Sequence, residues 1–243
     1  MSLLEVQAVG KTFTGVVALS DVSFAVDEHE IVGIMGANGA GKTTLFSIIA
    51  GNLRPTSGAI AFDGQRIDGL RPDQISRRGV ARTFQIVRPF GNMTVLENVA
   101  LGALYGRRRE RSAAVAEAKA KEILELLGIA DRADQLARHL TLAGRKRLEI
   151  ARSLATEPRL LLLDEVLAGL TPTEVAAAIE VVRAFHQSHR VTIVMIEHVT
   201  RALMALCRRI VVLHHGQKIT EGTPAEVASD PKTMSAYLGA PAP

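Results

Sequence analysis

The sequence predicts an α/β fold with a mostly parallel central sheet, and three observations carry that expectation. Ile31 to Met35 (IVGIM), Leu160 to Leu163 (LLLL) and Val191 to Ile196 (VTIVMI) are continuous rather than alternating apolar runs, the pattern of strands buried on both faces. Amphipathic stretches lie between them, such as Val175, Ile179 and Val182 at helical spacing, opened by Thr171, Pro172 and Glu174 in a capping-box arrangement. A fourth run, Ile210 to Leu213 (IVVL), follows the third after an alanine- and leucine-rich helical segment.

Taken in order, the N-terminal part differs from this core. Asp21 to Val26 (DVSFAV) alternates, and Ala59 to Phe62 (AIAF) is followed by the turn pair Asp63-Gly64, so both read as antiparallel strands flanking the parallel sheet. After the first core strand, Leu45, Phe46, Ile48 and Ile49 mark a helix. From Pro89 to Ser153 strand signals vanish, and Ala113 to Leu127 reads as a helix stopped by Gly128. His214-His215 before Gly216 reads as a hairpin turn rather than a metal pair, because adjacent strand residues point to opposite faces. The expected organisation is one domain over 1–243, with a core of 1–88 and 154–243 and an inserted helical sub-domain of 89–153.

Composition narrows the function. With 47% apolar, 22% charged and 4% aromatic residues, the chain is not disordered, collagenous or a coiled coil. No uncharged apolar stretch approaches the roughly 20 residues that cross a bilayer, and MSLLEVQAVG lacks the features of a secretory signal. The single cysteine, Cys207, allows no internal disulfide and no cysteine-based zinc site, and reads as packing. A formal charge of +4 is too small to imply nucleic acid. Arg107-Arg108-Arg109-Glu110-Arg111 reads as a solvated loop.

The chemistry concentrates at strand ends. Gly36-Ala37-Asn38-Gly39-Ala40-Gly41-Lys42-Thr43-Thr44 fits G-x-x-x-x-G-K-[ST] at every fixed position, with a strand before it and a helix after it. Glycines in such a loop let backbone N–H groups turn inward around phosphate oxygens, while the helix N-terminus adds its positive end. Lys42 would reach the β- and γ-phosphates, and the Thr43 hydroxyl would hold Mg²⁺. The second strand ends in Asp164-Glu165, where Asp164 can meet Mg²⁺ through water and Glu165 can polarise a water attacking the γ-phosphate. The third ends in Glu197-His198, so all three strands deliver polar groups at their C-terminal ends, where open α/β sheets place ligands.

With these motifs in this order, nearly the whole chain resembles the nucleotide-binding subunits of ABC transporters. The resemblance implies an ABC-type phosphate-loop ATPase with ATP and Mg²⁺ as cofactors. It makes Gln85, in Arg82-Thr83-Phe84-Gln85, the Q-loop glutamine that contacts Mg²⁺ and senses the permease. It makes His198 the switch histidine on the γ-phosphate, and Phe13 the aromatic that stacks on adenine. Leu140-Thr141-Leu142-Ala143-Gly144 stands at the signature motif, which serves the nucleotide bound by the other subunit. Arg147 to Leu154, Ala168-Gly169-Leu170 and Ala236 to Gly239 look most like the ATPases of bacterial branched-chain amino acid importers. The implied partners are a second cassette, identical or different, integral-membrane permeases and, indirectly, a periplasmic solute-binding protein. The implied location is peripheral, on the cytoplasmic face of the bacterial inner membrane.

Three departures from the family pattern stand out. In the signature, Thr141 keeps a hydroxyl that can cap a helix beginning near Gly144, but Ala143 puts a methyl where the family usually has glycine, which suggests slow hydrolysis at the composite site it serves. Val166 replaces the proline that usually follows the catalytic glutamate. Thr171 replaces Asp or Asn and is expected to be engaged locally by Glu174. A non-transport soluble ABC ATPase is the alternative, though the chain has no zinc-finger cysteines, long coiled coil or second cassette. A GTPase would need an N-K-x-D segment, which is absent, and a small-molecule kinase would not need the helical insertion.

Overall fold

The computed structural model describes residues 2–83 and 89–238. In chain order its elements are β1 (Ser2–Phe13), β2 (Val16–Asp27), β3 (Ile31–Met35), α1 (Lys42–Ile49), β4 (Ser57–Phe62), β5 (Gln65–Arg66), α2 (Pro72–Arg78), β6 (Val80–Arg82), α3 (Val95–Tyr105), α4 (Ala113–Leu126), α5 (Leu142–Ala155), β7 (Leu160–Asp164), α6 (Pro172–His189), β8 (Thr192–Ile196), α7 (Thr200–Leu206), β9 (Arg209–His214), β10 (Gln217–Gly222), α8 (Pro224–Ser229) and α9 (Pro231–Leu238). The chain divides into two compact units, residues 1–75 with 192–243, and residues 76–191.

The first unit holds two sheets. β1 and β2 form a hairpin through Thr14-Gly15, both at positive φ, the turn geometry whose twist suits adjoining antiparallel strands. β4 pairs with the other side of β1, and β5 with β4, giving the antiparallel order β2-β1-β4-β5. Its core face is Leu4, Val6, Val22, Val26, Ile60 and Phe62, all buried. The predicted antiparallel segments thus lie inside β2 and β4, and Asp63-Gly64 turns at positive φ as expected.

The second sheet of this unit centres on β3, parallel to both β8 and β9, with β10 antiparallel to β9. Burial of Ile31–Ile34 and of every residue of β8 explains why these strands are continuously apolar. A Cβ on Gly33 would stand 3.0 Å from Cys207 Sγ and from Leu203, so glycine there lets α7 close on the strand. Cys207 follows α7 as its cap residue rather than lying within the helix, and is buried as packing predicts. The Arg209 guanidinium donates to Ala25 O (2.6 Å) and both Glu30 carboxylate oxygens (3.1 and 3.0 Å), and also pairs with Glu221, stitching β2, β9 and β10 together.

In the second unit, β6 lies parallel to the fully buried β7. α4 presents Ala116, Ala120 and Leu124 to α3 and α5, none of the three with any exposed surface. It ends one residue earlier than predicted, with Leu127 capping and Gly128 at φ +64. α6 opens with the predicted Thr171–Glu174 capping box and buries Val175, Ile179 and Val182. Among the described residues from Pro89 to Ser153, the β structure is limited to an isolated bridge between Thr94 and Leu136.

Two further boundaries shift. β8 starts at Thr192, because Val191 O lies 2.9 Å from His186 Nδ1 at the close of α6 rather than in a ladder. α5 starts at Leu142 rather than near Gly144, because Gly144 is the residue whose N–H donates to the capping Thr141 Oγ1 (3.2 Å), two positions into the helix.

Candidate functional site

In the first unit, buried β3 runs straight into residues 36–41, which turn into α1. The loop is compressed against its neighbours: a Cβ on Gly36 would lie 2.4 Å from Leu213 O, and one on Gly41, at φ +98, would lie 2.6 Å from Ala18 O. Gly39 also sits at positive φ, and Ala40 N–H donates to Ala37 O (3.1 Å), closing a tight turn. The helix cap is Gly41, which has no side chain to satisfy the first-turn N–H groups, and that turn holds no acidic residue. These are the groups that bind phosphate at a helix N-terminus.

Lys42 is only 5% exposed, and its ammonium donates to Gly36 O (2.6 Å) and Ala37 O (3.0 Å). Its charge is therefore held on the inner rim of the loop. Thr43 is exposed and Thr44 half-buried, while Thr43 O accepts from Ser47 Oγ (2.7 Å). The β9–β10 turn supports the loop from outside, with Gly216 N–H donating to Ala40 O (3.2 Å) and Gly216 O accepting from Ser20 N–H (2.8 Å). Sequence reasoning saw that turn only as a hairpin, although a glycine after two histidines at a strand end was the available signal.

His198 follows β8 and is exposed, beside the buried Glu197. The Glu197 charge adds to burial in pushing the Cys207 thiol up to about 12, so Cys207 is an inert packing residue. Phe13 ends β1 with 40% of its surface exposed and Lys11 Nζ 4.9 Å from its ring centroid. Paired across from it, Val16 is also exposed, so the hairpin tip offers an apolar surface of the kind a flat ring can cover.

The second unit carries the acidic pair and the signature segment. Asp164 is 1% exposed; its Oδ2 accepts from Arg82 Nη2 at 2.7 Å, and its N–H donates to Thr83 Oγ1 (3.0 Å). Glu165 is half-buried at φ +51, and its carbonyl accepts from Lys146 Nζ (2.9 Å) and Ala168 N–H (3.2 Å). Val166, where the family has proline, is buried. In the signature, Leu140 is buried, Thr141 caps α5, Leu142 is 50% exposed, Ala143 is half-buried and Gly144 is buried. Leu142 Cδ2 lies 3.2 Å from where a Cβ on Gly169 would stand. Gln85 lies outside the described residues.

Thus the loop 36–44, His198 and Phe13 belong to one unit, and Asp164, Glu165 and 140–144 to the other. Within the first unit, the uncapped first-turn N–H groups of α1, the buried Lys42 ammonium and the exposed Thr43 hydroxyl suit a phosphate ligand; within the second, Asp164 places a buried carboxylate, a hard oxygen ligand, at the end of β7. No cluster of three or more His, Cys, Asp or Glu among the described residues could hold a metal alone.

Residues 19–168 match the family model described as ABC transporter. The chain belongs to the ABC transporter family, as an ATP-binding cassette. Residues 217–243 of the cassette also match a model described as branched-chain amino acid ATP-binding cassette transporter. The cassette is 38% identical to the high-affinity branched-chain amino acid transport ATP-binding protein LivG of Salmonella typhimurium, over 98% of each chain. It is 37% identical to the protein of the same description, BraF, of Pseudomonas aeruginosa, again over 98% of each. Among solved structures it superposes on the ADP conformation of an ATP-binding cassette of an ABC transporter with TM-score 0.88 and 30% identity, covering 99% of this chain and 100% of that one. A nucleotide-free cassette gives TM-score 0.86 and 29% identity, with 99% and 100% covered. The cassette is therefore an ATPase built on the expected α/β phosphate-loop core.

Proposed function

We propose that this cassette hydrolyses ATP to drive an importer of branched-chain or related amino acids. One observation carries the reading: residues 217–243 match the branched-chain cassette model, and relatives spanning the whole chain bear that description. In this reading it works as a dimer with a second cassette, identical or different, on permeases fed by a solute-binding protein. It sits peripherally at the cytoplasmic face of the inner membrane; no helix among the described residues is long and apolar enough to cross a membrane. Residues 89–153 form the helical sub-domain that carries the signature.

The residue roles belong to the same proposal. Lys42 Nζ, poised on Gly36 O and Ala37 O, binds the β- and γ-phosphate oxygens, and the first-turn N–H groups of α1 add further donors. Thr43, Gln85 and Asp164 would hold Mg²⁺, which supplies neutralisation of phosphate charge. Glu165 orients a water toward the γ-phosphorus and takes its proton as the bond to the ADP oxygen breaks. His198 contacts the γ-phosphate, and Phe13 stacks on adenine. Leu140 to Gly144 serves the nucleotide held by the other cassette, through the Thr141 hydroxyl and the N-terminus of α5.

The test is affinity purification of Glu165→Gln from detergent-solubilised native membranes with Mg-ATP. Co-elution of multi-span permeases is the expected result, and a second cassette beside them identifies a heterodimer. Recovery of soluble partners alone would replace this reading with a non-transport ABC ATPase.

A further inference from the structure

Lys146 stands in the second turn of α5, the helix that opens with the signature segment, and is only 6% exposed. Burying an ammonium costs several kcal/mol unless strong acceptors meet it, so such a residue is retained where its hydrogen bonds do work. Its Nζ donates to the carbonyl of Glu165 at 2.9 Å. That carbonyl belongs to a residue at φ +51, a left-handed backbone that costs a side-chain-bearing residue free energy and persists only when neighbours enforce it. Leu142, at the first position of the same helix, lies over Gly169, four residues beyond Glu165 and also at positive φ, with its Cδ2 3.2 Å from where a Cβ on that glycine would stand. The start of α5 therefore grips the segment after β7 at two points, one of them a charged hydrogen bond to the main chain of the acidic residue itself.

We propose that Lys146 is a positioning residue for Glu165. Through it, the helix that addresses the nucleotide of the other cassette sets the backbone carrying this cassette's own water-orienting carboxylate. Movement of α5 on engaging the opposite nucleotide is delivered to Glu165 through the Lys146 ammonium, so the two hydrolysis sites are coupled through a named hydrogen bond. This rests on the assignment of Glu165 as the group that activates water and of 140–144 as the signature.

The experiment compares Lys146→Met, Lys146→Gln and Glu165→Gln in the assembled transporter, reading kcat, KM for ATP, the Hill coefficient and the melting temperature. Methionine keeps the buried stem and removes the donor, whereas glutamine keeps a neutral donor one atom shorter. Lys146→Met is expected to lower kcat about tenfold, equivalent to about 1.4 kcal/mol, with KM within about twofold and the Hill coefficient reduced toward one. Lys146→Gln is expected to regain most of kcat and the cooperativity at a similar melting temperature. Equal rates for the two variants, an unchanged Hill coefficient in Lys146→Met, or rate losses that track melting temperature in both would overturn the proposal. Full activity in Glu165→Gln would instead remove the role assigned to Glu165, a failure distinct from that of Lys146.

Discussion

Arg82 and Asp164, 82 residues apart in sequence, form a salt bridge of 2.7 Å in which both side chains are almost wholly buried, at 8% and 1% exposed. The pair fixes the carboxylate at the end of β7 from the adjacent parallel strand β6. Removing one partner of a buried ion pair strands the other charge. Arg82→Met is thus expected to destabilise the protein by about 3–5 kcal/mol. Arg82→Met with Asp164→Asn should recover most of that loss, because no charge is left to strand. Urea unfolding of the unaltered protein and the two variants checks this, and equal stabilities of all three would show that the bridge contributes little.

Lys42 closes the loop in addition to facing phosphate, since its ammonium binds two carbonyls of residues 36 and 37. Replacing it by methionine removes charge-assisted hydrogen bonds worth about 1.5–3 kcal/mol each. Affinity for ATP should fall by about ten- to a hundredfold in a calorimetric titration. Overall fold should persist, because β3 and α1 are anchored by Ile31, Ile34, Leu45 and Phe46, all buried. An affinity within twofold of the unaltered protein would argue against the phosphate role.

What the sequence made legible is what local physics encodes. Continuous apolar runs marked β3, β7, β8 and β9, and the glycine spacing of 36–44 marked the loop. The Thr171–Glu174 box was readable from four residues, and Thr94 with Glu97 and Thr223 with Glu226 carry the same pattern and form the same box. By contrast, β6 is three residues long and α2 seven, too short for periodicity to speak. The partners of Arg82, Lys146 and Arg209 are set by tertiary contact between residues 12 to 184 apart, which no local pattern records. The basic run 107–111 was half readable. Arg108, Arg109 and Arg111 are exposed, as a solvated loop requires, yet Arg107 donates to Glu157 O (3.0 Å) and Arg108 pairs with the Glu157 carboxylate (2.9 Å).

Cys207 links buried packing to pH. Burial first, and then the charge of Glu197, raise its thiol from 9.0 to about 12. The folded state therefore binds this proton more tightly than the unfolded chain does. That contribution to stability is complete below pH 9 and is lost as pH rises toward 12, by about 1.4 kcal/mol per unit. Unfolding free energies of the unaltered protein and Cys207→Ala, measured from pH 7.5 to about 10.5, should run parallel at first. The unaltered protein should then fall more steeply. Curves parallel throughout would mean the thiol is less isolated from solvent than its burial indicates.

Ala143 is the departure from the family pattern that bears most directly on turnover. It is half-buried at the second position of α5, where backbone N–H groups without an intrahelical acceptor face outward from the helix N-terminus. A methyl group there keeps an incoming phosphate farther from those donors than hydrogen would, and electrostatic stabilisation of developing charge falls with distance. Ala143→Gly is expected to raise hydrolysis several-fold at the composite site this helix serves, while costing up to about 1 kcal/mol of helix stability. Single-turnover hydrolysis in the purified dimer reads the rates of the two sites. In a dimer with a different cassette, one fast and one slow phase that merge in Ala143→Gly would establish the methyl as the brake, as would, in a dimer of two copies of this chain, a single phase that Ala143→Gly speeds several-fold; rates unchanged by Ala143→Gly would dismiss it.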